Sequence, residues 1–576
     1  MLLFLKIRII INVITTFPEF DVVLKSNNEK NLSKVKIRNG VNTLIERIHV
    51  RNYRTFNTLD LKPKDGMNII VGNNDAGKST LLEAISLVLN GRLNGRWIGD
   101  ELNPYWFNTE VVRDFFDAYN KGEEVMPPSI LIELYFGKED QPQKLRGKNN
   151  SFSLDCPGVS LSVEPDPEYS TQIQAYLQGD HPPLLPVEYY KINWKGFDGN
   201  ALNKRPMELK TAIIDGRTIR STRGIDIQTR QMLSDYIDGK DSADISVAYR
   251  QAKYQLTETM LKQVNQQIQE GTKDIHSHEL GLQLDQSSSA NWESAIIPHI
   301  DSVPFSMAGQ GQQVLMKLAL ALKSSEEKSN FVIIEEPENH LSHTSLTGVV
   351  NLIDRLSSGR QTFIATHSSY VLNRLGLDRL ILIHKGETAK FDNLSADTIE
   401  YFKKQSGYDT LRLVLARKLV IVEGPTDEML FNRAYFDSSG KYPIDDEIDV
   451  VTQGTRNRRA LELCHVLNRS VAVLRDVDKQ TPEYWKDKAK EYLKDGEREM
   501  FIGLREEGET LEPQMIFANQ TQEPILKTIV GCPEEQDLCS YMTSNKTEVA
   551  WLIANSPTTI NYPQYFLDAI RFVKSI

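Results

Sequence analysis

The stretch Met67-Asn68-Ile69-Ile70-Val71-Gly72-Asn73-Asn74-Asp75-Ala76-Gly77-Lys78-Ser79-Thr80-Leu81-Leu82-Glu83-Ala84-Ile85 decides the fold of the larger part of the chain. It reads as an apolar strand, a loop of the form GxxxxGKS and an amphipathic helix, the context a phosphate-cradling loop requires. Glycine lets backbone N–H groups turn inward onto phosphate oxygens. Lys78 brings charge to β- and γ-phosphates, and the Ser79 hydroxyl is a magnesium ligand. The candidate nucleotide-binding residues are therefore Gly72, Asn73, Asn74, Asp75, Ala76, Gly77, Lys78, Ser79 and Thr80. The competing reading, a glycine turn with a chance lysine, does not account for the flanking strand and helix.

Downstream, Phe331-Val332-Ile333-Ile334-Glu335-Glu336-Pro337-Glu338 is an apolar strand delivering two adjacent carboxylates. Alternate strand residues point to opposite sides, so Glu335 is assigned to the magnesium shell and Glu336 to polarising an attacking water. A third strand, Gln361-Thr362-Phe363-Ile364-Ala365-Thr366-His367, brings His367 to a strand end, where a neutral imidazole can bond the γ-phosphate or order the water. Alone, such a histidine is more often structural; in order after the two earlier motifs it reads as a switch.

These residues resemble the ABC-type ATPases of the SMC, RecF and OLD group over about Leu44 to Lys385. Such heads carry a signature helix that completes the nucleotide site of a partner subunit, so the resemblance implies a homodimer or higher even oligomer. The candidate here is Ala308-Gly309-Gln310-Gly311-Gln312-Gln313, which has Gly309 where the group's LSGGQ has serine.

With 576 residues the chain exceeds the size of a single core, and 40% hydrophobic and 25% charged residues describe a globular protein. A net charge of -11 argues against coating of DNA by the whole surface but counts carboxylates able to hold metal. Cys156, Cys464, Cys532 and Cys539 form no CxxC pair, which suggests neither a zinc site nor a disulfide framework and fits a cytoplasmic location. Residues 1–43 open with an apolar run broken by Lys6 and Arg8, a poor signal peptide and a poor membrane span, and form an N-terminal extension of unclear role. The ATPase domain is placed at 44–390. Within it, about 226–270 reads as a helical insertion, either a dimerisation arm or a packed subdomain. A linker at 391–417 then leads to a second α/β domain at 418–576.

In that second domain, Lys418-Leu419-Val420-Ile421-Val422-Glu423-Gly424-Pro425-Thr426-Asp427 is a strand ending in Glu423 and turning into a helix. Val471-Ala472-Val473-Leu474-Arg475-Asp476-Val477-Asp478 is a strand ending in an alternating carboxylate pair, and with IDVV between them a small parallel sheet is expected. Glu, GxxD and DxD at parallel strand ends form a Toprim signature. Two carboxylates about 4 Å apart repel by ~1 kcal/mol in water and ~4 kcal/mol near a protein surface, so several together call for cations. Glu423, Asp427, Asp476 and Asp478 are the candidate ligands of Mg²⁺ or Mn²⁺, although Asp427 alone fits a helix N-terminus and Asp478 a turn. Arg456, Arg458 and Arg459, in the run GTRNRRAL, are candidate DNA phosphate contacts or simply an exposed basic helix start.

The order of the two domains resembles the overcoming-lysogenisation-defect (OLD) nucleases over nearly the whole chain after Leu44. That resemblance implies two metal ions, adds Glu512 as a further ligand and Lys546 as transition-state stabiliser, and sets Thr510 where a small hydroxyl residue is expected. It also implies DNA as substrate and a role in prokaryotic antiphage defence, alone or with an operon partner such as a UvrD-like helicase or a retron reverse transcriptase with its DNA. The expected fold class is thus α/β: an ABC/SMC-RecF-like P-loop ATPase with a helical insertion, followed by a C-terminal Toprim domain. The function expected is a metal-dependent DNA endonuclease regulated by ATP. The rival is a RecF-like DNA-binding or sensing ATPase whose Toprim domain does not cleave.

Overall fold

The computed structural model describes residues 44–576 except 94–95, 138–141, 180–181, 204–205, 207–208, 217–236, 238, 273–279, 288–291, 293–296, 326–329, 385, 392–393 and 405–409. The N-terminal extension at 1–43 lies outside the described residues, as does most of 217–238 at the start of the helical insertion. The described residues form two compact units, one within Met1–Val50, Leu82–Phe107 and Val111–Phe363, the other within Arg51–Leu81, Asn108–Glu110 and Ile364–Ile576. Among the described residues no helix is long and apolar enough to cross a membrane.

In the first unit, strand Thr211–Asp215 pairs in parallel with Phe331–Glu335, setting Asp215 opposite Glu335. All five residues of Phe331–Glu335 are buried, as a continuous apolar run in a parallel sheet should be. A separate antiparallel set comprises Ile130–Phe136, Cys156–Pro165 and Tyr190–Gly196, with Ile132 opposite Leu161 and Leu161 opposite Trp194. The signature segment opens helix Gln310–Ser325, whose Gln313 side chain donates to the Ala308 carbonyl at 2.9 Å.

The proline-free insertion forms helices Gly239–Met260 and Lys262–Thr272. The first has 22 residues, which at 1.5 Å per residue spans ~33 Å. Segment 280–287 runs back along them: Asn265 exchanges two hydrogen bonds with the Leu282 backbone, and Lys253 donates to the Asp285 carbonyl at 2.7 Å.

In the second unit, strand Met67–Val71 pairs in parallel with Leu380–His384, which pairs antiparallel with Glu387–Lys390. Residues 391–417 contain two helices, Ala396–Lys404 and Thr410–Leu415. Beyond them lies a four-stranded sheet in the order Ile448–Thr452, Lys418–Val422, Ser470–Arg475, Arg498–Ile502, every neighbouring pair parallel. Three of these strands match the apolar runs of the sequence. The fourth, Arg-Glu-Met-Phe-Ile, opens with two charged residues and alternates buried and half-buried positions along its length. Helices Pro425–Ser439, Lys546–Asn555 and Gln564–Ser575 supply Leu430, Phe431, Ala550, Ile553, Phe566 and Ile570 to the core of this sheet.

Candidate functional site

Parallel strands that all run one way deliver their C-terminal ends to a single edge, and the acidic residues gather there. Glu423 follows Lys418–Val422, and Asp476 and Asp478 follow Ser470–Arg475. Asp427 sits in the first turn of helix Pro425–Ser439, where its Oδ2 accepts from the Gly424 N–H at 3.0 Å. Asp476 Oδ2 accepts from the Leu511 N–H at 3.2 Å, and this contact draws in the helix Leu511–Ala518 that carries Glu512. Glu512 is buried, its Oε2 accepting from the Thr510 hydroxyl at 3.1 Å and from Lys546 Nζ at 3.0 Å. The acidic residues predicted for the second domain, Glu423, Asp427, Asp476, Asp478 and Glu512, together with Lys546, therefore belong to one neighbourhood.

The charges show how close that neighbourhood is. Burial pushes the Asp476 carboxyl up to about 8, with Asp427, Glu423 and Glu512 adding to the rise. Glu423 is pushed up to about 7 by burial, against the pull of Arg475, with Asp427 and Asp478 raising it. Asp427 rises to about 6, again mainly from burial, while the Gly424 amide lowers it. Three carboxyls displaced in the same direction at one place form an acidic well, a setting that divalent cations relieve. Asp476 Oδ1 is buried and accepts no hydrogen bond. Among the described residues, no three His, Cys, Asp or Glu side chains already converge on one point as ligands. The donor set fits Mg²⁺ or Mn²⁺, being all oxygen and strongly anionic.

One residue within the quoted motif escaped the sequence reading. Arg475 is 4% exposed, its Nη1 3.2 Å from Glu423 Oε1 and its Nη2 3.3 Å from Asp478 Oδ2. Its neighbours in sequence are the ligand candidates themselves, so the pattern RDVD drew attention to the aspartates and not to the arginine. The three candidate DNA-contacting arginines are distributed differently from one another. Arg459 turns inward, donating to Thr398 Oγ1 at 3.0 Å and pairing with Asp397 and Glu462. Arg458 lies over the Tyr492 ring and Arg456 over Tyr401.

The phosphate-loop motif lies in the same unit. Gly77 adopts φ 100°, and a Cβ there would meet the Phe56 ring at 2.6 Å; at Gly72 a Cβ would meet the Ile383 carbonyl oxygen at 2.6 Å. Both positions therefore require glycine. Lys78 Nζ donates to the carbonyls of Gly72 and Asn73 at 2.9 Å each. Asn73 and His367 line a common cavity with Ser369, Arg412, Arg417 and Asp449. Glu335 and Glu336 belong to the other unit, at the end of Phe331–Glu335. Glu335 is buried, whereas Glu336 leaves the strand at φ 46°, with its Oε2 accepting from Asn339 at 2.6 Å. A left-handed non-glycine residue is uncommon and marks functional turns. Here it gives the two glutamates different backbone settings.

A family model for the AAA domain matches residues 47–342, and one for the overcoming lysogenization defect protein-like Toprim domain matches 414–478. Endonuclease GajA of Bacillus cereus is 22% identical over 450 residues, 71% of this chain and 70% of that protein. The OLD nuclease of Thermus scotoductus is 24% identical over 482 residues, 76% of this chain and 82% of that protein. An ATP/GTP phosphatase of Helicobacter pylori is 22% identical over 347 residues, 56% of this chain and 85% of that protein. The chain belongs to the AAA-domain ATPase family and, with an OLD-like Toprim domain behind that ATPase, is an enzyme of the OLD nuclease type.

Proposed function

We propose that the protein is an ATP-binding endonuclease that cleaves DNA at the Toprim carboxylates with Mg²⁺ or Mn²⁺, its nucleotide state regulating that cleavage, in prokaryotic antiphage defence. The observation that carries the reading is the gathering of Glu423, Asp427, Asp476 and Glu512 beside Lys546 at the C-terminal edge of the parallel sheet. A bare cluster of this kind repels a phosphodiester, so cations have to enter with the DNA or before it. Asp476, fixed by the Leu511 amide, and Glu423, Asp427, Asp478 and Glu512 would hold them. Divalent ions there would supply a more acidic attacking water and neutralise charge on the leaving oxygen. Lys546, 45% exposed at its side chain, is placed to swing from Glu512 to a non-bridging phosphate oxygen. Arg456 and Arg458, which lie over aromatic rings, would meet the DNA backbone, Arg458 giving up its exposed pair with Glu491, while Arg459 is committed to Asp397 and Glu462.

On the ATPase side, Lys78 holds loop carbonyls that phosphate oxygens can replace as its partners. Ser79 and Glu335 serve the nucleotide's magnesium, Glu336 the water and His367 the γ-phosphate. The signature helix at Gln310–Ser325 suits pairing of two copies around nucleotide. Purified full-length protein, incubated with supercoiled plasmid over a series of Mg²⁺ and Mn²⁺ concentrations, tests the reading. The wild type should nick DNA only with the divalent ion, and Asp476→Ala and Glu423→Ala should abolish nicking while the protein remains folded. Undiminished cleavage in both variants would overturn it. Robust ATP hydrolysis without cleavage under any divalent ion would point instead to a DNA-sensing ATPase.

A further inference from the structure

The arginine inside the acidic cluster has no part in the scheme above. Arg475 ends strand Ser470–Arg475, and both terminal nitrogens of its guanidinium are engaged. Nη1 donates to the Thr455 carbonyl at 2.8 Å and lies 3.2 Å from Glu423 Oε1; Nη2 lies 3.3 Å from Asp478 Oδ2. The guanidinium carbon stands 3.6 Å from the centre of the Trp485 ring, and the Trp485 indole is itself fixed by donating to the Val477 carbonyl at 3.1 Å. A buried guanidinium that spans two carboxylates and stacks on an indole is a built arrangement, not a surface ion pair in exchange with water. The two carboxylates it spans, Glu423 and Asp478, are ligand candidates on two different strand ends, and one cation cannot be replaced by another there without moving the first.

We propose that Arg475 is a built-in counter-cation, a positioning residue that holds Glu423 and Asp478 apart from the other carboxylates and competes with divalent metal for them. The inference rests on the metal-dependent reading of the cluster. It accounts for two observations together: five carboxylates share one neighbourhood, yet among the described residues no three converge as ligands. Glu423 and Asp478 are tied to Arg475, and Glu512 is tied to Lys546. Metal binding on the Glu423 and Asp478 side therefore requires the guanidinium to withdraw along the Trp485 face. Metal affinity at that side is lower than the carboxylates alone would give, and the metal-free cluster is stabilised in exchange.

The test is Mn²⁺ binding to the full-length protein by calorimetry, beside melting temperatures in EDTA and in Mn²⁺, for the wild type, Arg475→Met and Trp485→Leu. Arg475→Met should bind Mn²⁺ at least about tenfold more tightly, because a competing charge is removed and two ligands are released. It should also melt lower in EDTA and recover in Mn²⁺. Trp485→Leu, which loosens the guanidinium without deleting its charge, should tighten binding by about two- to fivefold, the scale of one cation–π contact. A merely structural arginine gives the opposite sign, since damage to the site weakens metal binding. Equal or weaker Mn²⁺ affinity in Arg475→Met overturns the inference. Should that variant not fold, Trp485→Leu and Arg475→Lys decide by the same sign. A wild type and an Arg475→Met variant both silent to Mn²⁺ overturn the metal reading itself and this inference with it.

Discussion

Lys546 Nζ lies 3.0 Å from each carboxylate oxygen of Glu512, joining the first turn of helix Lys546–Asn555 to the buried start of helix Leu511–Ala518. Glu512 is buried and Lys546 is half exposed, so the pair has one fixed member and one able to turn toward substrate. Lys546→Met should lower the single-turnover cleavage rate by about 10²–10³-fold, the usual effect of removing one preorganised donor to developing charge. Circular dichroism of the variant should match the wild type. A rate within threefold of the wild type would assign the lysine to holding Glu512 and nothing more.

The pH dependence of the metal-free protein follows from the direction of the carboxyl shifts. Asp476, Glu423 and Asp427 all bind protons more tightly when folded, at about 8, 7 and 6. A raised folded value means that the stability these groups contribute is complete below their unfolded range and is lost as pH rises through the folded values. In EDTA the melting temperature should therefore fall from about pH 4, where the unfolded carboxyls ionise, to about pH 8, and fall less in Asp476→Asn, which removes the group with the largest rise. Equal slopes for the two proteins would show that the cluster does not titrate as described. Because Mn²⁺ takes the deprotonated carboxylates, its binding should release protons and strengthen over the same range. Calorimetry in two buffers of different ionisation enthalpy measures that release.

Much of the site was legible because it follows from strand ends. An apolar run followed by Glu423, and another followed by Asp476 and Asp478, dictate that a parallel sheet brings those residues to one edge, whatever the intervening loops do. Glu512 and Lys546 were reached only through family resemblance, since a Glu in a helix's first turn and a lysine after an asparagine also suit an ordinary solvated helix. Arg475 was opaque for another reason. Its role depends on the stack with Trp485 ten residues on, and no periodicity marks that pair. Strand Arg498–Ile502 was missed because its Glu499 and the flanking Arg498 break the apolar run by which a buried strand is recognised. Arg459 read as a basic surface residue, yet its partners Asp397 and Thr398 are supplied by tertiary contacts, which no local pattern marks.

The two glutamates at the end of Phe331–Glu335 differ in backbone as well as in assignment. Glu335 is in register with Asp215 in the parallel pair, and Glu336 has already turned to φ 46°. Glu336→Gln should bind ATP as the wild type does and slow turnover by at least about 10²-fold, because it keeps the shape and removes the base that directs water. Lys78→Ala should instead weaken binding, measurable as loss of fluorescent nucleotide retention. Normal hydrolysis by Glu336→Gln would exchange the roles given to Glu335 and Glu336.

The proposed nucleotide regulation of cleavage would have a physical route within the second unit. His367 and Asn73 line one wall of a cavity of about 540 Å³, and Ser369, two residues beyond His367, accepts from the Leu411 N–H at 3.3 Å. Leu411 is in helix Thr410–Leu415, whose Arg412 bonds Asp449 Oδ1 at 3.3 Å and the Val450 carbonyl at 3.0 Å. Asp449 stands near the start of strand Ile448–Thr452, next to the strand that ends at Glu423, so the helix grips the sheet at the end opposite the carboxylates. A five-residue strand carries a displacement over ~16 Å with little loss, because its ladder is stiff. On the proposed reading, a γ-phosphate that repositions His367 would act along this path on the carboxylate site. Arg412→Ala cuts that path while leaving both sets of reacting groups in place. It should hydrolyse ATP within about threefold of the wild type. The effect of ATP on its cleavage rate should shrink to under about twofold, against the 5–150-fold typical of coupled sites. The comparison takes cleavage with and without ATP for the wild type, Arg412→Ala and Lys78→Ala. An unchanged ATP response in Arg412→Ala sends the coupling elsewhere, and identical rates in the wild type with and without ATP remove regulation altogether, leaving the ATPase domain to assembly.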